Sequence, residues 1–482
     1  MQFRQILRLI GILNVFLGLF MLAPLLVSLI CSDGSFLPLF YSFVITSGSG
    51  LLLFLITRKA DYKALSQRSG MAIVTFGWLS AGFFGALPFL FSGSIGTLPD
   101  AFFESLSGFT TTGASILNSI ESLPQGILLW RSLTQWLGGM GIIVLSIAIL
   151  PFLGVGGMQL YKAEIPSPVV DKLQPRISET AKTLWKVYLL FTAIEAGLLF
   201  AGGMSLFDSI CHALCTMPTG GFSTHGASIA YFHNAYFEGV ITVFMLLAGV
   251  NFALHFKFLK GDLRIFGRDP ECRVFLVILA ALILVVTLNT HGTVYQSLAG
   301  ALRGAAFQIT SIITTTGFVT ADYEKWPALS QIILFLCMFI GAMAGSTGRA
   351  VKIMRIVLLA KYGFREIFRL IHPHAVRSIR LGSKPVPEEV LNSIGGFFIL
   401  YIGLYVFAVL VMSFFGLDVM TSLGSVAATI GNVGPGFGSV GPVKNYFLVP
   451  YAGKWVLTFC MLLGRLEIYT VIVMLAPAYW RK

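Results

Sequence analysis

Residues 110–115 read Thr110-Thr111-Thr112-Gly113-Ala114-Ser115, a polar turn set between apolar stretches. A turn of the same kind recurs three times. It appears as Thr216-Met217-Pro218-Thr219-Gly220-Gly221-Phe222-Ser223, as Thr314-Thr315-Thr316-Gly317-Phe318-Val319-Thr320, and as Gly431-Asn432-Val433-Gly434-Pro435-Gly436-Phe437-Gly438. Ahead of each lies a segment of about 12 residues with helical character, too short to cross a hydrocarbon layer of about 30 Å. These segments begin near Pro99-Asp100, Ser205, Thr293 and Leu417, with Asp100 and Ser205 as candidate N-caps and Pro99 at the very start of its segment. One Thr-Thr-Thr-Gly suits any exposed turn. Four turns at the same point of four span–half-helix–span units mark an internal repeat.

The surroundings are those of a membrane protein. Of 482 residues, 56% are hydrophobic and only 11% charged, and the mean hydropathy is +0.84. A soluble domain carries roughly a quarter charged residues. Apolar runs of spanning length cover Leu9–Ser32, Leu37–Thr57, Met71–Ser92 and Gln135–Gln159. Others, some with shorter apolar cores, cover Glu238–Phe256, Val274–Leu288, Gln331–Ile340, Leu391–Phe415 and Trp455–Trp480. The first run is too long for a signal-peptide core and lacks a small-residue cleavage site, so it reads as a span. The six cysteines show neither a disulfide framework nor zinc spacing.

The net charge of +12 is distributed for a membrane rather than for nucleic acid. Most Lys and Arg sit in alternate connections. The groups are Arg4 and Arg8; Arg58 to Arg68; Lys162 to Lys186; Lys257 to Arg273; Lys352 to Lys384; and Arg481 with Lys482. The intervening connections are nearly bare, with Lys325 and Lys444 as exceptions. The positive-inside rule places both termini and these clusters in the cytoplasm. The short segments then fit re-entrant helices that enter from outside and stop midway.

Irregular backbone at that depth is tolerated where it lines water or is buried in protein. Four Thr-Gly stretches around one axis make a cage of carbonyl oxygens that replaces a cation's hydration shell. The four short helices aim their negative ends at the same axis. No turn carries Asp or Glu, which suits a large monovalent ion rather than calcium.

On these turns, on Pro218-Thr219-Gly220-Gly221-Phe222-Ser223-Thr224-His225, on Gly345-Ser346-Thr347-Gly348 and on Gly464-Arg465-Leu466-Glu467-Ile468-Tyr469, the chain resembles the Trk/Ktr/HKT superfamily of potassium transporters and its bacterial TrkH type. The resemblance covers nearly the whole chain. It implies an all-α integral membrane fold of ten spans plus four re-entrant helices: two extra N-terminal spans (1–69) and repeats over 70–165, 166–265, 266–385 and 386–482. It implies a multi-pass protein of the bacterial inner membrane, a homodimer with one pore per subunit, and a cytosolic TrkA-like partner. Nucleotide (ATP/ADP or NAD) is expected on that partner, since this chain has no nucleotide-binding Gly-rich loop. Beyond permeant K+, no cofactor is expected on this chain. The filter falls on Thr111, Thr112 and Gly113; Thr219 and Gly220; Thr315, Thr316 and Gly317; and Asn432, Val433 and Gly434. One filter glycine per repeat is then Gly113, Gly220, Gly317 and Gly434. Gly113 points to potassium, since serine there goes with sodium transport in plant relatives. The fourth turn lacks the threonine, so a less symmetric cage is expected.

Two features bear on gating. The stretch Gly341–Ala350 carries Gly345, Ser346, Thr347, Gly348 and Arg349 inside an apparent span. Its glycines fit either close helix packing or a break in the helix, each glycine weakening a helix by about 1 kcal/mol relative to Ala. The resemblance favours a loop beneath the filter acting as a gate, although the family usually continues in glycine where Arg349 and Ala350 stand. Arg465, with Glu467, is a charge inside the last span, costing at least about 2.5 kcal/mol at mid-membrane. It fits either a salt bridge or a place on the conduction path, with Glu467 turned to another helix; the resemblance favours the gate. The basic stretch from Lys352 to Glu389 suits anionic lipid heads or a protein partner. A proton- or sodium-coupled carrier of a small cation or solute is the alternative. It would bury several carboxylates among its spans, and beyond Glu104, Glu195, Glu238 and Glu467 there are few. No nucleophile, metal cluster or carboxylate pair suggests an enzyme.

Overall fold

The computed structural model of the chain describes residues 3–58, 66–139, 141, 177–375, 378–382 and 384–481. Most of the expected Gln135–Gln159 span and the basic residues Lys59, Lys63, Lys162, Lys172, Arg176, Arg377 and Lys482 lie outside the described residues. Two long apolar helices, Phe3–Cys31 and Phe36–Ile56, form an N-terminal hairpin. Four units follow, each led by a long helix: Gln67–Phe91, Ile177–Ala201, Pro270–Thr290 and Glu388–Phe414. These six helices are long and apolar enough to cross a membrane.

Each long helix is followed by a short one: Leu98–Phe109, Leu206–Thr216, Leu298–Ile313 and Val419–Ile430. Their starts are set by side chains that accept the orphan N–H groups of the first turn. Ser205 caps the second helix as its sequence predicts, accepting from Asp208 N at 3.0 Å. Asp100 is not the cap of the first. Thr97 is, and its hydroxyl donates to the Asp100 carboxylate at 2.8 Å. Ser297 and Asp418 cap the other two, so the third helix starts later than Thr293, where the sequence placed it.

The second helix of every unit stops early. Gln125–Gly139, Ala235–Gly249, Ala328–Cys337 and Tyr451–Arg465 have 15, 15, 10 and 15 residues. The continuous run Glu238–Phe256 expected from hydropathy is therefore broken. Asn251 caps a new helix, Phe252–Leu259, turned by 102° from its predecessor. With that pair taken as one span, seven helical segments among the described residues are long and apolar enough to cross a membrane. The Trp455–Trp480 run is broken in the same way, at Glu467 and Ile468, which sit at φ 55° and 61° before a short helix Tyr469–Leu475. Hydropathy sees only the apolar composition on either side of such a break.

Neighbouring units are stitched together on the side of the polar turns. Arg131 pairs with Glu104 at 2.7 Å and donates to Ser223 O at 2.8 Å, joining units one and two. Glu238 and Arg303 meet at 3.1 Å between units two and three. Glu324 accepts from Gly438 N at 2.6 Å and pairs with Lys444 at 3.4 Å between three and four. Lys454 and Asp100 pair at 2.7 Å and close the circle. Arg131, Arg303 and Lys454 thus add to Lys325 and Lys444 as exceptions to the charge asymmetry, and all three are partnered by an acid.

Candidate functional site

The short helices all end alike. Thr111, Thr219, Thr315 and Asn432 have φ of 55°, 56°, 60° and 52°. In each case this residue's N–H bonds three residues back, to Gly108, Thr216, Ile312 and Thr429 O at 2.8–3.2 Å. The next N–H reaches five back, to Ser107, Cys215, Ser311 and Ala428 O at 2.8–2.9 Å. This pair of bonds is a Schellman C-cap, whose left-handed residue is usually glycine. Threonine there is a costly choice, since a β-branched residue resists positive φ. Asn432 takes the conformation more easily. The missing threonine of the fourth turn therefore leaves its backbone like the other three, and the asymmetry lies in the side chains.

Two residues on, glycine stands at positive φ in every unit: Gly113 (79°), Gly221 (77°), Gly317 (82°) and Gly434 (97°). The second unit is a correction. Gly220 holds the place of Thr112, Thr316 and Val433, and Gly221 is the counterpart of the other three glycines. A Cβ on Gly113 would lie 2.2 Å from Gly220 O. On Gly221 it would lie 2.1 Å from Thr316 O, on Gly317 2.0 Å from Val433 O, and on Gly434 2.5 Å from Thr112 O. Each unit leans its glycine on a carbonyl of the next, and the fourth leans on the first. The four turns, hundreds of residues apart in sequence, form one closed ring.

The stretch Gly341–Ala350 is a loop, not a packed helix. The preceding helix ends at Cys337, and short parallel strands pair Ile340 with Val351 and Gly341 with Lys352. A Cβ on Gly341 would overlap Arg349 O at 1.7 Å, and Gly345 sits at φ 76°. Thr347 Oγ1 lies 3.0 Å from both Met217 O and Ala248 O, and the Ser346 hydroxyl donates to Met343 O within the loop. Arg349 N donates to Thr315 Oγ1 at 2.8 Å. A ring residue thus accepts directly from the loop. A Cβ on Gly348 would come 3.1 Å from Thr314 O, just ahead of that residue.

Two buried arginines meet one helix end. Arg349 Nη2 donates to Gly139 O at 3.2 Å, and Arg465 Nη2 to Gly138 O at 2.7 Å. The Arg465 guanidinium also lies 4.7 Å over the Trp78 ring. The last carbonyls of a helix carry roughly half a negative charge, so two cations from different segments converge there. Glu467 turns away and pairs with Arg355, because the helix ends at Arg465 and the chain reverses its handedness at Glu467.

The TrkH family model, described as cation transport protein, matches residues 39–482. The chain belongs to that family. It is 44% identical, over all of both chains, to the Trk system potassium uptake protein TrkH of Escherichia coli (strain K12). It is 37% identical to the Trk system potassium uptake protein TrkG of the same organism, covering 99% of each. Among solved structures, the crystal structure of the potassium transporter TrkH from Vibrio parahaemolyticus matches with a TM-score of 0.89 and 40% identity over 100% of both chains. These relatives are transporters and not enzymes.

Side chains on the half-helices hold the turns in place, and of them the sequence singles out only Glu104, as a carboxylate among the spans. One polar residue lies seven before each left-handed one: Glu104, His212, Gln308 and Ser425. Glu104 accepts from Ile116 N at 2.9 Å, Gln308 from Thr320 N at 3.0 Å, and His212 Nε2 lies 2.9 Å from Ser223 Oγ. In the fourth unit, hydroxyls from elsewhere take over: Tyr446 donates to Gly434 O at 2.7 Å and Tyr323 to Gly436 O at 2.9 Å. The sequence signal was a polar residue recurring at a fixed offset in each half-helix, among other polar residues of the same segments.

The ring geometry makes Gly221 intolerant of any side chain, through both its φ and the overlap with Thr316 O. Gly221→Ala is expected to lower cation flux in reconstituted vesicles at least tenfold, a left-handed Ala costing about 1–2 kcal/mol before the overlap. Gly197→Ala, with open space around it, should keep wild-type flux. Equal fluxes for the two variants would place the ring elsewhere.

Proposed function

We propose that this chain takes up potassium through a pore whose filter is the ring of four turns. The observation that carries the reading is the closed cycle of glycine–carbonyl contacts. In this reading the carbonyls of Thr112, Gly220, Thr316 and Val433 stand in for the water of a dehydrated K+ ion. Thr111, Thr219, Thr315 and Asn432 fix the backbone, and Gly113, Gly221, Gly317 and Gly434 allow its close approach. Four half-helices direct their negative ends to the same place. The potassium uptake named for the relatives supports the choice of ion. Of the four acids a coupled carrier would draw on, Glu104, Glu238 and Glu467 are each engaged by an arginine, which counts against coupling. Glu195 is fully buried and forms no ion pair among the described residues.

The loop with Gly345, Ser346, Thr347, Gly348 and Arg349 is the gate, and Arg349 with Arg465 bolts it beneath the ring. A fixed cation about 5 Å from the path opposes a passing one by about 3 kcal/mol at an effective dielectric of about 20. The gate is controlled from the cytoplasm, where both termini lie, by a TrkA-like subunit carrying ATP/ADP or NAD. The protein works as a homodimer in the bacterial inner membrane, its basic surface against anionic lipid.

Purified protein in liposomes is expected to pass K+ and Rb+ faster than Na+ and Li+, because a carbonyl cage suits the larger, more easily dehydrated ions. Equal flux of all four ions would end the selectivity claim. Arg465→Ala should raise basal flux severalfold, and Arg349→Gly in the same chain should raise it further. Unchanged flux in both folded variants would leave the arginines as helix caps only.

A further inference from the structure

Each ring residue that presents its carbonyl to a neighbouring glycine carries a side chain, except one. Thr112 Oγ1 lies 2.8 Å from Thr110 Oγ1, Thr316 Oγ1 lies 2.8 Å from Thr314 Oγ1, and Val433 fills its place with methyl groups. Gly220 has nothing of its own to offer. The space is not empty, because a Cβ on Gly220 would lie 2.4 Å from the amide carbon of Gln135. Gln135, fully buried on the helix Gln125–Gly139 of the first unit, fills the place of the missing side chain.

Its amide makes two bonds that fix its orientation. Nε2 donates to Gly220 O at 2.6 Å, and Oε1 accepts from Phe222 N at 3.0 Å. Turning the amide over would set oxygen against oxygen and N–H against N–H, so this arrangement alone satisfies both partners. The two bonds straddle Gly221 and clamp the second turn. Of the four carbonyls that face a neighbouring glycine, those of Thr112, Gly220, Thr316 and Val433, the one at Gly220 accepts from a side chain among the described residues. A similar helix position in the fourth unit holds Met461, three before Gly464, which packs on Ile430 O as Gly138 packs on Phe109 O. The fourth unit thus has no glutamine at this place, and the glutamine of the first matches the glycine of the second.

We infer that Gln135 is a specificity-determining residue, which sets the position and field strength of one of the four filter oxygens. The inference rests on the pore reading above. An oxygen that already accepts from an amide presents a weaker field to an ion and is held in one position. Number and field strength of the oxygens decide which ion is preferred. Without Gln135 the Gly220 carbonyl is released, and the discrimination made at that seam is lost.

Rb+ and Na+ uptake by vesicles holding wild type, Gln135→Ala and Gln135→Glu tests this. In Gln135→Ala the Rb+/Na+ ratio should fall by about threefold to tenfold, the equivalent of one net hydrogen bond. Gln135→Glu separates clamp from packing, because a protonated acid donates and accepts at the same places while a carboxylate only accepts. Its ratio should approach wild type at about pH 5 and fall at about pH 9, beyond any change in wild type. A wild-type ratio in Gln135→Ala overturns the inference and leaves the pore standing. Should Gln135→Ala pass no ion, Gln135→Glu decides. The same ratio at both pH values, or no flux near pH 5, overturns the assignment. Wild-type protein that passes neither ion sinks the pore reading and the assignment with it.

Discussion

A helix that ends inside an apolar layer leaves its last carbonyls without partners, and no water is at hand to supply them. Four short helices of this protein end among buried residues, and each resolves the problem with a left-handed residue whose own and next N–H groups fold back onto the helix. Three of the four residues are threonines, whose β-branched side chains resist that conformation. The arrangement persists because each turn is held from outside, by the next turn's carbonyl, by a polar residue seven positions upstream, or by a tyrosine hydroxyl. The strain is thus shared around a ring, and no unit can form its turn without its neighbours. Salt bridges across the unit boundaries hold the same ring at its rim, so fold and site are stabilised by one set of contacts.

The breaks in the second helices follow from the same constraint. Each breaks close to the ring, and the freed helix ends need partners, acceptors at an N-terminus and donors at a C-terminus. Phe252 N finds Gly345 O, Thr347 finds Ala248 O, and the end at Gly138 and Gly139 draws two arginines. Arg349 arrives from the loop and Arg465 from the last unit, so one helix terminus couples the loop to a distant segment. Positive charge satisfies the terminal carbonyls, whose partial charge is negative. The loop and the last unit are thus tied to one terminus by two hydrogen bonds.

Much of this was legible in the chain. The repeat was visible because Thr, Gly and Pro recur at fixed points between apolar runs, and Arg465 stood out as a charge where none is cheap. Ser205 announced its helix by chemistry alone. Three things were not legible. Gly220 and Gly221 are adjacent, and only the backbone angles show that the second is the counterpart of Gly113. The breaks at Asn251 and Glu467 lie in stretches whose composition is still that of a span. The pairing of Gln135 with Gly220 joins residues on different units, and its local sequence is that of an ordinary helix. Each of these depends on what the chain meets from elsewhere rather than on its own periodicity.

The central claim is that four unlike segments make one ion site. Anomalous diffraction from crystals of this protein grown in rubidium tests it directly. The ring requires a rubidium peak on the axis, within coordination distance of the carbonyls of Thr112, Gly220, Thr316 and Val433. Crystals with an ordered, intact ring and no rubidium there, or with the ion bound instead among carboxylates elsewhere in the span region, would contradict it.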